Sequence, residues 1–310
     1  MIEITNLTFD YPGHRALNDV TLTVANGSVT ALVGPNGAGK TTLMRCIAGL
    51  ETPLTGTITV ADMDVSDRTR DVHRVMGYLS DFFGLYQDLT VARCLEYAAA
   101  AQGLPEADIP AAIERTARQL NLSDRLQQTS GSLSRGLRQR VAIGQAIIHQ
   151  PKVLLLDEPA SGLDPEARAS LAELFRQLQA DGMTLLVSSH ILSELDEYST
   201  HMLALRDGRI LENREIKLAH QSEVHRCLHL DLAQPDELLP QWLQAYAQVT
   251  LKTATANHAE FDFHGDMHAQ ALLLKSLIHE GFSVSSLAEQ KENLQQSYLR
   301  SVAAHLEAQQ

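Results

Sequence analysis

Four short stretches of the chain are apolar throughout rather than alternating: V-T-A-L-V-G (29–34), V-M-G-Y-L (75–79), K-V-L-L-L-D (152–157) and T-L-L-V-S-S (184–189). A strand with one wet face alternates apolar and polar side chains, and a strand covered on both faces does not. These runs therefore predict buried strands of a mostly parallel sheet. Helical stretches after them, such as 165–180 behind Pro165, predict the crossovers of an α/β domain. Residues 88–150 break that rhythm. L-T-V-A-R-C-L-E-Y-A-A-A-A-Q-G reads as a helix with Thr90 at its N-cap and Gly103 near its end. P-E-A-D-I-P-A-A-I-E-R-T-A-R-Q-L reads as a second, broken or started at Pro110, and S-L-S-R-G-L (132–137) opens a third. A helical subdomain inserted into the α/β core is expected.

After about Ile216 the pattern changes again. R-C-L-H-L-D-L alternates, D-E-L-L-P-Q-W-L is helical, and V-T-L-K-T-A with A-E-F-D-F-H reads as a hairpin around Ala256–Asn257. A-Q-A-L-L-L-K-S-L-I-H-E-G is a helix ended by Gly281, F-S-V-S-S-L a strand, and 292–307 a last helix. The order β-α-β-β-α-β predicts a small ferredoxin-like α+β domain over 216–310, behind a first domain over 1–215.

Composition narrows the classes. The chain has 310 residues, enough for more than one typical domain, and its formal net charge of -13 argues against a general nucleic-acid binder, which shows a basic stripe. Cys46, Cys94 and Cys227 are odd in number and form no C-x-x-C pair, which reads as thiols in a reducing compartment. The N-terminal M-I-E-I-T-N-L-T-F-D lacks the basic patch and apolar core of a signal peptide. No apolar run approaches the about 18 residues that read as a membrane span.

The chemistry starts at G-P-N-G-A-G-K-T-T, a G-x-x-x-x-G-K-[ST] motif between an apolar strand and the helical L-M-R-C-I-A-G-L. Gly34, Pro35, Asn36, Gly37, Ala38 and Gly39 form a loop whose glycines let successive N–H groups face a phosphate, and the helix start adds positive potential. Lys40 is expected on the β- and γ-phosphates of a nucleotide and Thr41 on Mg²⁺, with Thr42 beside them. Asp157 ends a buried strand, where it can hold Mg²⁺ through a water. Glu158, one residue on, points elsewhere and can take a hydrogen bond from a water aimed at the γ-phosphate. His190 ends another buried strand, where it can sense that phosphate and hold the water or the base in place. His264 and His268 in H-G-D-M-H are four apart, but Gly265 weakens a helix presenting both, and they read as surface histidines.

Together these features resemble the ATP-binding cassette (ABC) family of ATPases, specifically a transporter's nucleotide-binding subunit, over about residues 1–215. The resemblance implies a P-loop NTPase core that hydrolyses ATP with Mg²⁺ to drive transport. It implies a partner that is an integral membrane permease, pairing as a homodimer or with a second ABC subunit, and a place on the cytoplasmic face of the inner membrane. It makes Tyr11 the aromatic that stacks on adenine and Asp164, in S-G-L-D, a bridge to the partner protomer. S-L-S-R-G-L matches the signature segment, usually L-S-G-G-Q. Ser134 and Gly136 are kept, while Arg135 and Leu137 depart. Asp81 in G-Y-L-S-D stands where the family usually has a metal-binding glutamine. The aromatic F-F-G-L-Y (82–86) fits either a permease contact or local packing. A single cassette with a separate C-terminal domain resembles exporter-type bacterial systems. The alternative is an ABC ATPase acting on nucleic acid or ribosomes. Against it, Ser134 follows Lys40 by only 94 residues, with no coiled-coil insertion, and only one cassette is present.

Overall fold

The structure is a computed structural model and describes residues 1–82, 84–189, 191–216, 226–289, 298 and 302. The chain divides into two compact units, Met1–Ile216 with Leu294–Gln310, and Lys217–Asn293. The tail from Leu294, expected in the second unit, thus groups with the first. Of that tail only Tyr298 and Val302 are described; the Tyr298 ring packs against the core of the first unit, and the helix expected over 292–307 otherwise lies outside the described residues.

The first unit is built on a six-stranded sheet. Its spatial order is Arg209–Glu215, His201–Arg206, Val29–Val33, Thr184–Ser189, Val153–Asp157 and Met76–Leu79. The last five are mutually parallel, and only the edge pair of 201–206 with 209–215 is antiparallel. Alternate side chains feed two cores on opposite faces. Val29, Ala31, Val33, Leu154, Leu156, Leu185 and Val187 enter one; Leu32, Val153, Leu155 and Leu186 enter the other. That double coverage explains the unbroken apolar runs. The expected helical insertion is present as Val91–Ala101, Ile109–Gln119 and Arg135–Ile147, with the Thr90 side chain accepting from Arg93 N–H at 3.3 Å. Pro110 lies in the first turn of the second helix, so it starts that helix rather than breaking it.

The second face is covered by a sheet the hydropathy reading did not anticipate. Ile2–Tyr11 pairs antiparallel with His14–Val24 and with Thr55–Val60, and Met63–Asp64 adds an edge. Ile2, Ile4, Leu7 and Phe9 face the core, but the register shifts between Ile4 and Leu7, at Asn6 with φ +50°. The shift breaks the two-residue period there, which is why the strand pattern is hard to see.

The second unit is a four-stranded antiparallel sheet in the order Val249–Ala254, His258–Phe263, Arg226–Leu232, Val284–Glu289, with helices Leu239–Ala245 and Met267–His279. Numbered along the chain, the strands run 2-3-1-4, the ferredoxin-like arrangement. Leu228, Leu230, Phe261 and Phe263 pack beneath the helix residues Leu243, Leu273 and Leu277.

Candidate functional site

Parallel register builds the site. Val33 lies beside Ser189 and Asp157 beside Ser188, so the loop after Val33, the Asp157 carboxylate and the end of the 184–189 strand share one edge of the sheet. Ligands of open α/β sheets bind at that carboxyl edge. The loop curls through Gly37 at φ +81° and Gly39 at φ +105°, backbone angles that favour glycine. Helix Lys40–Ile47 starts directly behind it, with no side chain capping it and no acidic residue in its first turn. Its first N–H groups therefore point into the cleft as an anion site. The Lys40 ammonium folds back onto this loop, donating to the Gly34 carbonyl at 2.8 Å and the Pro35 carbonyl at 3.2 Å. Burial pushes Lys40 below its ordinary value, while Glu158 and Asp157 pull it back up.

Two adjacent carboxylates play different parts. Asp157 is 1% exposed; its Oδ1 accepts from the Ser188 hydroxyl at 2.6 Å, and its Oδ2 is buried without a partner among the described residues. A buried, unpaired carboxylate oxygen beside a phosphate cradle suits a hydrated divalent cation. Glu158 is only half-buried and has φ +51°, a left-handed conformation costing a non-glycine residue about 1–2 kcal/mol. Its N–H donates to the same Ser188 oxygen at 3.0 Å. Ser188 thus sets the position of both acids. That role was missed in the sequence, where Ser188 was only the tail of an apolar run.

Tyr11, His14, Asn36, Gly37, Gly39, Lys40, Thr41, Thr42, Asp81 and Glu158 line one open cleft. Tyr11 is exposed at the rim and meets Phe9 edge to face, with centroids 4.9 Å apart. Thr41 faces solvent, whereas Thr42 and Ala38 are buried, Ala38 within the core beneath the loop. Asp81 is exposed on the cleft wall. His14 is a second residue missed from the sequence. His190 lies outside the described residues, as does Phe83 of the aromatic segment.

Ser134, Gly136 and Asp164 are elsewhere. They line a separate cavity with Leu137, Leu163 and Ser170, among others, and share no residue with the cleft. Ser134 caps helix Arg135–Ile147 by accepting from Leu137 N–H at 3.3 Å, and Asp164 caps helix Pro165–Ala180 by accepting from Ala167 N–H at 2.8 Å. Arg135, the departure from the usual signature glycine, donates to the Ser161 carbonyl at 2.8 Å. Its guanidinium lies against Gly162 (φ +67°), where a Cβ would collide with it. The substituted arginine thus fastens the signature helix to the loop carrying Asp164.

The family model for ABC transporters matches residues 17–161. A Bacillus subtilis (strain 168) protein called an uncharacterized ABC transporter ATP-binding protein, YxlF, is 30% identical over 98% of this chain and 100% of its own length. The Nod factor export ATP-binding protein I of Rhizobium meliloti is 34% identical over 69% of this chain and 64% of that protein. Among solved structures, the ATP-binding subunit of an ABC transporter is 33% identical, with TM-score 0.62, over 69% of this chain and 90% of that one.

Proposed function

The chain belongs to the ATP-binding subunits of ABC transporters and is an ATPase of that family, and we propose that it forms half of an ATP-driven clamp powering a separate export permease. The observation that carries the reading is the split of the anion-facing groups between two cavities with no residue in common. The cleft holds the phosphate loop and the acids; the other cavity holds Ser134 and Gly136. Head-to-tail pairing of two chains brings the second cavity of each over the cleft of the other.

In that clamp Lys40 leaves the Gly34 and Pro35 carbonyls for the β- and γ-phosphates. Thr41, Asp157 and Asp81 would hold Mg²⁺, which supplies charge neutralisation on the phosphates. Tyr11 offers its ring to the adenine. Glu158 takes the proton of the attacking water as its oxygen bonds to the γ-phosphorus and the bond to the ADP oxygen breaks, leaving ADP and phosphate. His190 is assigned to that water or to the base. Product release reopens the pair.

A membrane partner is supported by the surface. Phe82 is 91% and Tyr86 61% exposed, beside an exposed Tyr97. A groove lined by Leu50, His73, Arg74, Met76, Tyr78 and Gln102 opens at the insertion. Large exposed apolar side chains and an open groove are each features that suit a docking helix. Among the described residues no helix is long and apolar enough to cross a membrane. Likeness to ATP-binding subunits of ABC transporters is what supports a permease on another chain, with this one at its cytoplasmic face. The export direction rests on the Nod factor relative. Purified chain is expected to hydrolyse ATP slowly alone and faster in vesicles that contain its permease. Strong activity that no such membrane protein alters would contradict the reading.

A further inference from the structure

The outer face of the second unit's sheet carries a different chemistry from the cassette. Cys227 and His229 are two residues apart on one strand, so both project from the same face. Glu260 sits directly opposite His229 in the neighbouring strand. The intervening Leu228 and Leu230, and Phe261 across from Leu228, point the other way into the core beneath the helices. Register alone therefore brings a thiol, an imidazole and a carboxylate together, and their donor atoms all lie within 4.8 Å of one another. Cys227 Sγ is 3.5 Å from Glu260 Oε1, and His229 Nε2 is 4.0 Å from Glu260 Oε2.

We infer that Cys227, His229 and Glu260 form a binding site for a borderline divalent transition-metal ion of the Zn²⁺ class. Metal–ligand bonds of about 2.0–2.3 Å in a tetrahedron set the ligand atoms about 3.3–3.5 Å apart, so side-chain torsions alone close the present separations. A sulfur–nitrogen–oxygen set favours Zn²⁺ or Co²⁺ over Mg²⁺ and Ca²⁺, which prefer all-oxygen sites. The site is thus chemically separate from the Mg²⁺ position proposed in the cassette. Three protein ligands leave a fourth position for water or an external donor. His258, its Nδ1 held by Asp231 at 2.8 Å, stands beside His229 with ring centroids 5.4 Å apart and walls one side of the site.

One group competes. The Lys252 ammonium lies 3.4 Å from Cys227 Sγ and 2.7 Å from Asp262. Its positive charge occupies the neighbourhood a metal would enter, so binding must move it off the sulfur. Removing that charge should tighten the site, an effect no misfolding can imitate.

Co²⁺ is the probe for the test, added to the reduced, metal-stripped full chain while thiolate-to-metal absorption is followed, with Zn²⁺ as competitor. The expected result is one Co²⁺ per chain with a thiolate band, displaced by Zn²⁺. Cys227→Ser should abolish the band, and His229→Ala or Glu260→Gln should weaken binding by at least about tenfold. Lys252→Met should bind several-fold more tightly. Cys46 and Cys94 are buried in the cassette and should contribute nothing. The inference is overturned if no thiolate band forms, if the band survives in Cys227→Ser, or if Lys252→Met binds no tighter.

Discussion

The chain presents two helix starts where glycine and a small hydroxyl residue meet, and they are built differently. Helix Lys40–Ile47 is uncapped: Gly39 supplies no side chain, so the first-turn N–H groups remain for a ligand, with a lysine and two carboxylates around them. Helix Arg135–Ile147 is capped by its own Ser134, and its cavity has neither the phosphate loop nor a lysine; of the two acids that line it, Asp164 is engaged as a cap and Glu166 sits in the first turn of helix Pro165–Ala180. The first start is equipped for chemistry. In the proposed clamp the second is the covering surface, and the Arg135 contact to Ser161 fastens it to the loop before Asp164. An isolated chain has the reacting half and the covering half on different walls, and the contrast makes sense when a second chain supplies the missing half.

The sharpest way to break this contrast is Glu158→Gln, which removes the base but not the cradle. Turnover should fall by about 10²–10⁴-fold with ATP affinity nearly unchanged, measured by phosphate release and nucleotide titration. Normal hydrolysis would remove Glu158 from its assigned role. Ser188→Ala comes next, because one hydroxyl positions both acids. It should lower stability by about 1–3 kcal/mol in denaturant unfolding, through the orphaned Asp157 Oδ1 and Glu158 N–H, and reduce turnover as well. Arg135→Ala tests the lid. It should cost about 1 kcal/mol or less in stability, the contact being exposed, and weaken ATP-driven pairing while sparing nucleotide binding by the single chain. Asp81→Gln should have the smallest effect, about a threefold or smaller shift in the Mg²⁺ dependence of hydrolysis, since an exposed carboxylate acts through water.

The candidate residues of the cassette were legible because the features that mark them are local. The phosphate loop, the strand before it and the helix after it are contiguous, and Asp157 advertises itself as a polar end to an apolar strand. Features that depend on register were not legible. Ser188 matters only because parallel pairing sets it beside Asp157, from a strand 31 residues further along. The N-terminal sheet was hidden by the shift at Asn6, which interrupts the alternation of Ile2 and Ile4 before Leu7 resumes it. In the second unit, the order of strands and helices followed from alternation and from Gly281, which takes φ +94° after the helix. The metal-type cluster did not follow, because the eye goes to His264 and His268, whereas pairing joins His229 to Glu260 across 31 residues of chain. Arg135 read as a departure from the signature, and its partner is a backbone carbonyl 26 residues away, which no motif specifies.

The central claim, that each catalytic site is shared between two chains, is tested most directly by mixing two disabled variants. Lys40→Ala removes the cradle, and Ser134→Asp keeps the helix cap while placing a negative charge against the partner's phosphates. Each variant alone has two broken sites in any pair it forms. A mixed pair has one intact site, made from the cleft of the Ser134→Asp chain and the signature of the Lys40→Ala chain. With donor and acceptor fluorophores on the two variants, ATP should produce energy transfer in the mixture and none in either variant alone. Absence of ATP-dependent transfer in the mixture, or equal transfer in a single variant, would contradict the shared site.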